Sequence, residues 1–314
     1  MDNRTALVLG VTGGIGKTVA HLLSTRGWSV RAMHRDPARL RGSAFEVVAG
    51  DAMRASDVAA AAAGVSLIVH AVNPPGYRNW GELVMPMLDS TIAAARASGA
   101  RVLLPGTVYN YGPDTFGRRI SEEAPQHPTT RKGAIRVEME RRLRDSGQRV
   151  LIVRAGDFFG PGAANNWFSQ GLVTPGAPVK RIMDPGHGIA HQWAYLPDVA
   201  ETMVQLLERE STLSRFATFH MDGHFDQDGT QMIAAIRRAV GEVPVRRFPW
   251  RLSMLASPFV PFLREVREMR YLWREPIRMS NARLAATLGA EPHTALDRAV
   301  RTTLSDLGCP QWPR

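Results

Sequence analysis

Seven residues near the start of the chain, Gly10-Val11-Thr12-Gly13-Gly14-Ile15-Gly16, have the composition of a phosphate cradle. A turn without side chains lets the backbone approach a pyrophosphate. A helix beginning there adds N–H groups and a partial positive charge. The flanks fit this chemistry: Ala6-Leu7-Val8-Leu9 reads as a buried strand, and Lys17 to Thr25 carries helical apolar spacing. Strand, glycine turn and helix predict a dinucleotide site lined by Gly10, Thr12, Gly13, Ile15 and Gly16.

The end of the second strand decides which dinucleotide. An acidic side chain there would accept bonds from a ribose diol and select NAD. This chain has Met33-His34-Arg35-Asp36-Pro37. Asp36 before Pro37 reads as a helix N-cap. Arg35, with His34, is placed to pair with a ribose 2′-phosphate, so NADP is expected and NAD is the alternative. A solvated surface Arg is the plain reading of the same residue. Asp51 reads as an acceptor for an adenine amino group, or as the cap of its own turn.

Alternating strands and helices must position these groups. Ser29–Met33, Phe45–Ala49, Leu67–Ala71, Arg101–Leu104 and Arg149–Val153 read as further strands. Helices are expected at Ser56–Ala63 (capped by Ser56 or Asp57), Trp80–Ala97 and Thr130–Asp145. Asn73-Pro74-Pro75-Gly76 breaks the chain between two of them. The fold class is α/β, a Rossmann-type doubly wound parallel sheet with a smaller C-terminal substrate lobe. Residues 1–160 form the dinucleotide-binding domain and 191–222 return to it. Residues 161–190 and 223–314 form the covering lobe. Within the later chain, Asp198–Arg209, Asp228–Val240 and Ala295–Leu307 read as helices, and Phe216–Met221 and Val243–Val245 as strands. Trp250–Leu263, interrupted by Arg251, Pro258 and Pro261, reads as a broken helix covering a pocket, with a peripheral membrane contact as the alternative.

Composition excludes several classes. The chain has 314 residues, is 44% hydrophobic and contains one cysteine, Cys309, so no disulfide framework or cysteine-rich metal site exists. His187 and His191 flank a Gly-rich loop, but no Asp/Glu/Cys set completes a metal site with them. Net charge is +10, and only Lys17, Lys132 and Lys180 among 39 basic residues are lysines. The arginines are scattered, which argues against a nucleic-acid surface and leaves a small acidic ligand as the simpler partner. No signal peptide precedes the first strand and no apolar run matches a membrane span, so a cytoplasmic location without membrane contact is expected.

The chain resembles the extended, epimerase/dehydratase-like branch of the short-chain dehydrogenase/reductase superfamily. Gly10, Gly13 and Gly16 match its Gly-x-x-Gly-x-x-Gly spacing, and Gly50-Asp51 its Gly-Asp. Leu104-Pro105-Gly106-Thr107-Val108-Tyr109-Asn110-Tyr111-Gly112-Pro113 resembles the strand end holding the catalytic Ser or Thr, which puts Thr107 in that position. Val153-Arg154-Ala155-Gly156-Asp157-Phe158-Phe159-Gly160-Pro161 resembles the segment along the nicotinamide, with Ala155 in place of the usual Pro. Tyr195-Leu196-Pro197-Asp198-Val199-Ala200 resembles a further segment of the branch. The resemblance implies cofactor contacts at Ala71, Arg136, Ala155 and Phe158. It also implies a two-fold homodimer built on the helices after the fourth and fifth strands.

The family's Tyr-x-x-x-Lys pair is missing. Four residues after Tyr77, Tyr109, Tyr111, Tyr195 and Tyr271 stand Gly81, Pro113, Thr115, Val199 and Glu275. At the matching place, Lys132-Gly133-Ala134-Ile135-Arg136 puts Lys132 in the Tyr slot and Arg136 in the Lys slot, with Glu140 four further on. Arg136 can still donate to ribose hydroxyls. Lys132 is a general acid/base, a solvated lysine at a helix start, or a charge that holds an acidic substrate. Tyr111, Tyr109 and His127 are further proton-transfer candidates. The expected function is NADP-dependent reduction, oxidation or epimerisation of a small carbonyl or hydroxyl compound, including a nucleotide sugar. Thr107, Lys132 and Tyr111 are the catalytic candidates. The alternative is a non-catalytic NADP(H)-binding redox sensor or regulatory module.

Overall fold

A computed structural model describes residues 4–74, 79–163, 166–256 and 267–311. The first half runs β1 (Thr5–Leu9), α1 (Gly14–Thr25), β2 (Ser29–His34), β3 (Glu46–Ala49), α2 (Ala55–Ala61), β4 (Leu67–His70), α3 (Trp80–Ser98), β5 (Arg101–Thr107), β6 (Arg119–Ile120), α4 (Arg131–Asp145) and β7 (Val150–Ala155). The second half runs β8 (Asp157–Phe159), β9 (Ile182–Asp184), β10 (His191–Tyr195), α5 (Leu196–Leu207), β11 (Phe216–His220), β12 (His224–Asp226), α6 (Gln231–Val240), β13 (Val245–Arg247), α7 (Trp250–Ala256) and β14 (Arg278–Met279). Helices Ala282–Leu288 and Leu296–Asp306 follow.

Seven strands form one sheet in the order β11-β7-β5-β4-β1-β2-β3. The β1–β2, β1–β4, β2–β3 and β4–β5 pairs are parallel. Parallel strands covered by helices on both faces carry apolar runs, as in the buried Leu67-Ile68-Val69 of β4. The chain turns from β1 toward β2 on one side and β4 on the other, so β1 marks the topological switch point. Leu9 pairs with both Met33 and His70, and His34 pairs with Ala49. Gly10, Arg35, Gly50-Asp51 and Ala71 therefore all leave the sheet at the same edge.

The chain divides into two units. The first comprises Met1–Gly106, Ala134–Arg154 and Ala200–Phe219, and the second Thr107–Gly133, Ala155–Val199 and His220–Arg314. Leu7, Ile68, Leu88, Val102, Leu143 and Ile152 are among the core of the first. Tyr111, Phe159, Phe168, Trp193, Met232 and Val300 are among the core of the second.

This division is more interleaved than the sequence suggests. Residues 191–199 stay with the second unit because β10 pairs with β8 and β12 in a three-stranded sheet of its own. These strands are only 3–5 residues long, too short to show a period. Neither Ser56 nor Asp57 caps α2. The N-cap is Arg54, with no side-chain bond, and Asp57 Oδ2 instead accepts the Asp51 N–H at 3.0 Å. Pro75, Gly76, Tyr77, Pro258 and Pro261, named above, lie outside the described residues.

Candidate functional site

The glycine turn has the shape its sequence requires. Gly10 has φ +88°, and a Cβ there would run into the carbonyl oxygen of Ala71, the residue after β4. A Cβ on Gly16 would strike the Gly10 carbonyl. The Gly13 N–H donates to Gly10 O at 3.0 Å and closes the turn. Gly13 is the N-cap of α1, where no side chain caps the helix and the first turn holds no acid. Thr12 and Gly13 are exposed and Ile15 is half-buried. A backbone surface narrowed to glycine and set at a helix N-terminus fits a dinucleotide pyrophosphate.

The candidates for the adenosine end lie in the first unit as well. Arg35 is exposed and lines a cleft of about 760 Å³ together with Gly50, Asp51 and Arg54. Asp36 caps the short turn Pro37–Leu40 by accepting the Ala38 N–H at 3.1 Å. The Asp36 N–H donates to His34 Nδ1 at 2.9 Å, so the His34 ring is fixed by its own backbone. Asp51 Oδ1 accepts the Met53 N–H at 3.0 Å, which realises its turn-capping role.

Arg136 is buried on α4. Its Nη2 donates to Asn73 Oδ1 at 3.3 Å and its guanidinium sits 5.1 Å from the centre of the Trp80 ring. Its charge reaches His70 at the end of β4. Burial, and then the Arg136 charge, push the His70 imidazole down to about 3. Thr91 Oγ1 donates to Met87 O at 3.1 Å, so it accepts from His70 Nδ1–H at 2.8 Å. Two other motif residues serve the fold. Arg154 on β7 and Glu140 on α4 form a buried ion pair, with Arg154 Nε donating to Glu140 Oε1 at 3.0 Å. Gly106 is needed beside them, because a Cβ would lie 2.9 Å from Ile152 Cγ2. Ala155 is buried at the end of β7.

In the second unit, Lys132 is 3% exposed. Its backbone N–H donates to Glu268 Oε1 at 2.8 Å, and its Nζ lies 3.7 Å from Glu268 Oε2. The solvated-lysine reading therefore fails. Thr107 ends β5 and uses its Oγ1 to accept the Tyr109 N–H at 3.3 Å. Tyr111 turns inward. His220 Nδ1 donates to Ile120 O at 3.0 Å, which leaves Nε2 to accept the Tyr111 hydroxyl proton at 2.8 Å. That phenol belongs to the core (1% exposed) and is not placed for proton transfer to a substrate. Tyr109 packs half-buried on the same core, and exposed His127 pairs with Asp114 at 2.9 Å. Phe158 sits half-buried on β8, opposite Ala194.

Asn73, Trp80 and Glu268 are the site residues that sequence reasoning missed. Glu268 stands 136 positions from the lysine it holds, and no local pattern links them. Among the described residues, no three His, Cys, Asp or Glu side chains gather as a metal site, and no helix is long and apolar enough to cross a membrane.

A glycine turn at the switch point of a doubly wound sheet, with a buried arginine beside the next strand, defines a dinucleotide-binding protein. The family described as NAD(P)H-binding matches residues 10–210, and the chain belongs to it. A 3-diazoavenalumate denitrifying reductase from a Streptomyces species is 26% identical over 274 residues, covering 79% of this chain and 85% of the relative. The UDP-glucose 4-epimerase from Brucella ovis, solved in complex with NAD, superimposes with a TM-score of 0.74 at 16% identity, covering 98% of this chain and 100% of that one. The Bordetella bronchiseptica enzyme WbmH, solved in complex with NAD+, gives 0.70 at 15% identity, over 96% and 98%. The fold is thus that of the epimerase/dehydratase-like short-chain dehydrogenase/reductases.

Proposed function

We propose that this chain is an NADP(H)-dependent reductase of a small carbonyl or comparably electrophilic substrate. Lys132 supplies the proton, Thr107 orients the substrate oxygen and Arg136 holds the nicotinamide ribose. The observation that carries the reading is the burial of Lys132 and its attachment to Glu268 through both backbone and ammonium. A buried cation with a carboxylate partner is a positioned group, and its slot is the one from which the family moves a proton. The bound cofactor supplies the hydride. Arg136, held against Trp80 and Asn73, donates to ribose hydroxyls in place of the family's lysine. Arg35 pairs with a 2′-phosphate, which favours NADP over NAD.

The reductive direction is supported by the Streptomyces relative, whose name describes a reductase of a diazo compound. Epimerisation asks one group to take a proton and return it, a task suited to a phenolate. Here the Tyr-Gly phenol of the motif, Tyr111, already donates to His220.

Replacing Lys132 by Met tests the assignment. A screen of carbonyl compounds for NADPH oxidation identifies a substrate. On it, K132M is expected to lose at least about a hundredfold in kcat, the typical contribution of a positioned acid. NADPH affinity should stay within about threefold. Turnover equal to wild type would remove Lys132 from the mechanism.

A further inference from the structure

Four buried side-chain donors in the second unit have no acceptor among the described residues: Trp193 Nε1, Trp273 Nε1, Tyr271 Oη and Arg270 Nε. They are neighbours. Arg270, Tyr271 and Trp273 share the turn Met269–Trp273, and the Trp193 ring lies 5.6 Å from that of Trp273. Trp193 and Trp273 are 2% and 5% exposed, so bulk water does not serve them. Packing here can satisfy an indole, since Trp250 Nε1 donates to Pro185 O at 2.9 Å. A donor left buried and unpaired is destabilising, and several in one place mark a site completed by something else.

The chemistry of that completion is one-sided. All four groups donate, so the ligand must accept. Burial, then the charge of Asp157, then that of Glu268, push the Tyr271 phenol up, so it keeps its proton. Both carboxylates have partners of their own: Asp157 faces His191 Nε2 at 3.0 Å and Glu268 holds Lys132. Arg270 brings a cation, 5.4 Å from the Trp250 ring. The surroundings are flat and aromatic. Trp273 stacks on His191 at 3.8 Å and 3°, and Trp167 stands against it at 5.1 Å. Aromatic walls with several buried donors among them favour a planar ring that bears an anionic oxygen group.

We propose that this aromatic donor cluster is the substrate subsite and that the substrate is an aryl carboxylate, its ring among the tryptophans and its oxygens on Tyr271, Arg270 and the indoles. The proposal rests on the reductase reading and specifies its substrate class.

Calorimetric titration of the full, NADPH-loaded protein tests it, with 4-hydroxycinnamate, cyclohexanecarboxylate and UDP-glucose as probes. Saturable binding of 4-hydroxycinnamate is expected, at least about tenfold tighter than the other two. Tyr271→Phe and Trp273→Phe should each weaken it by about tenfold, the loss of one buried hydrogen bond. Their NADPH affinity should be unchanged. Tyr271→Phe should melt, without ligand, no lower than wild type, because it removes an unpaired hydroxyl. No binding of the aryl acid, tighter binding of UDP-glucose, or unchanged affinity in folded Y271F would overturn the proposal while NADPH binding persists. A protein that does not bind NADPH overturns the reductase reading and this inference with it.

Discussion

Lys132 and Arg136 stand four positions apart on α4, and their surroundings give them different work. Arg136 has an aromatic face on one side and an amide oxygen on the other, the environment of a planar cation that must keep its orientation. Lys132 has a carboxylate bound to its own backbone N–H, so its position is set before any substrate arrives. Arg35 is a third case, exposed in its place after β2 and lining a cleft. If it reads the 2′-phosphate, R35A should weaken NADPH by about tenfold, the loss of one exposed charge-assisted contact, and leave NADH within about twofold. Equal losses for the two cofactors, measured by fluorescence titration, would show that Arg35 does not discriminate.

At the scale of elements, the β1–α1 turn and the β4–α3 contact carry the most physical constraint. The turn is closed by backbone and tolerates no Cβ at Gly10 or Gly16. The β4–α3 contact depends on a neutral imidazole, since His70 is buried, bonded to Thr91 and pushed down to about 3. His224, lowered to about 4 by burial and then by His293, behaves alike in the second unit. Unfolded histidines take up protons near pH 6.5, and these two in the native state do so only far below it. Between those values the unfolded chain binds more protons, so stability is full above about pH 7 and falls as pH drops. Each group should contribute a loss of about 2 kcal/mol by pH 5. Urea unfolding from pH 7.5 to 5 should show this decline, and H70N should flatten it if its fold is kept. A flat wild-type profile would mean that both imidazoles already titrate normally.

For the molecule as a whole, a net charge of +10 is large, and several of its many arginines are paired locally with carboxylates. Arg26 meets Glu201 and Glu208, Arg142 meets Asp89, Arg238 meets Asp297 and Arg278 meets Asp222. Such pairs scatter the positive potential over the surface, as the arginines are scattered along the sequence. The protein is expected to bind a DNA column only at low ionic strength and to elute below physiological salt. Retention at physiological salt would show a nucleic-acid surface. Charge therefore bears on solubility and on attraction of acidic small molecules.

The amino-acid sequence alone determined the doubly wound sheet, the glycine turn and the class of cofactor. Each is a local rule: a strand buried on both faces is built mostly from apolar residues, and a backbone at φ +88° against a carbonyl must be glycine. The family resemblance also implied that Lys132 and Arg136 stand in the slots of the missing Tyr-x-x-x-Lys pair. Only the tertiary structure decided what surrounds them. Glu268 reaches Lys132 across 136 residues, Trp80 and Asn73 frame Arg136, and Tyr111 is spent on His220, 109 positions away. The short strands β8, β10 and β12 likewise acquire their identity from pairing with one another. Contacts between distant segments leave no period or spacing in a single chain, because what selects them is burial and hydrogen bonding in the folded state.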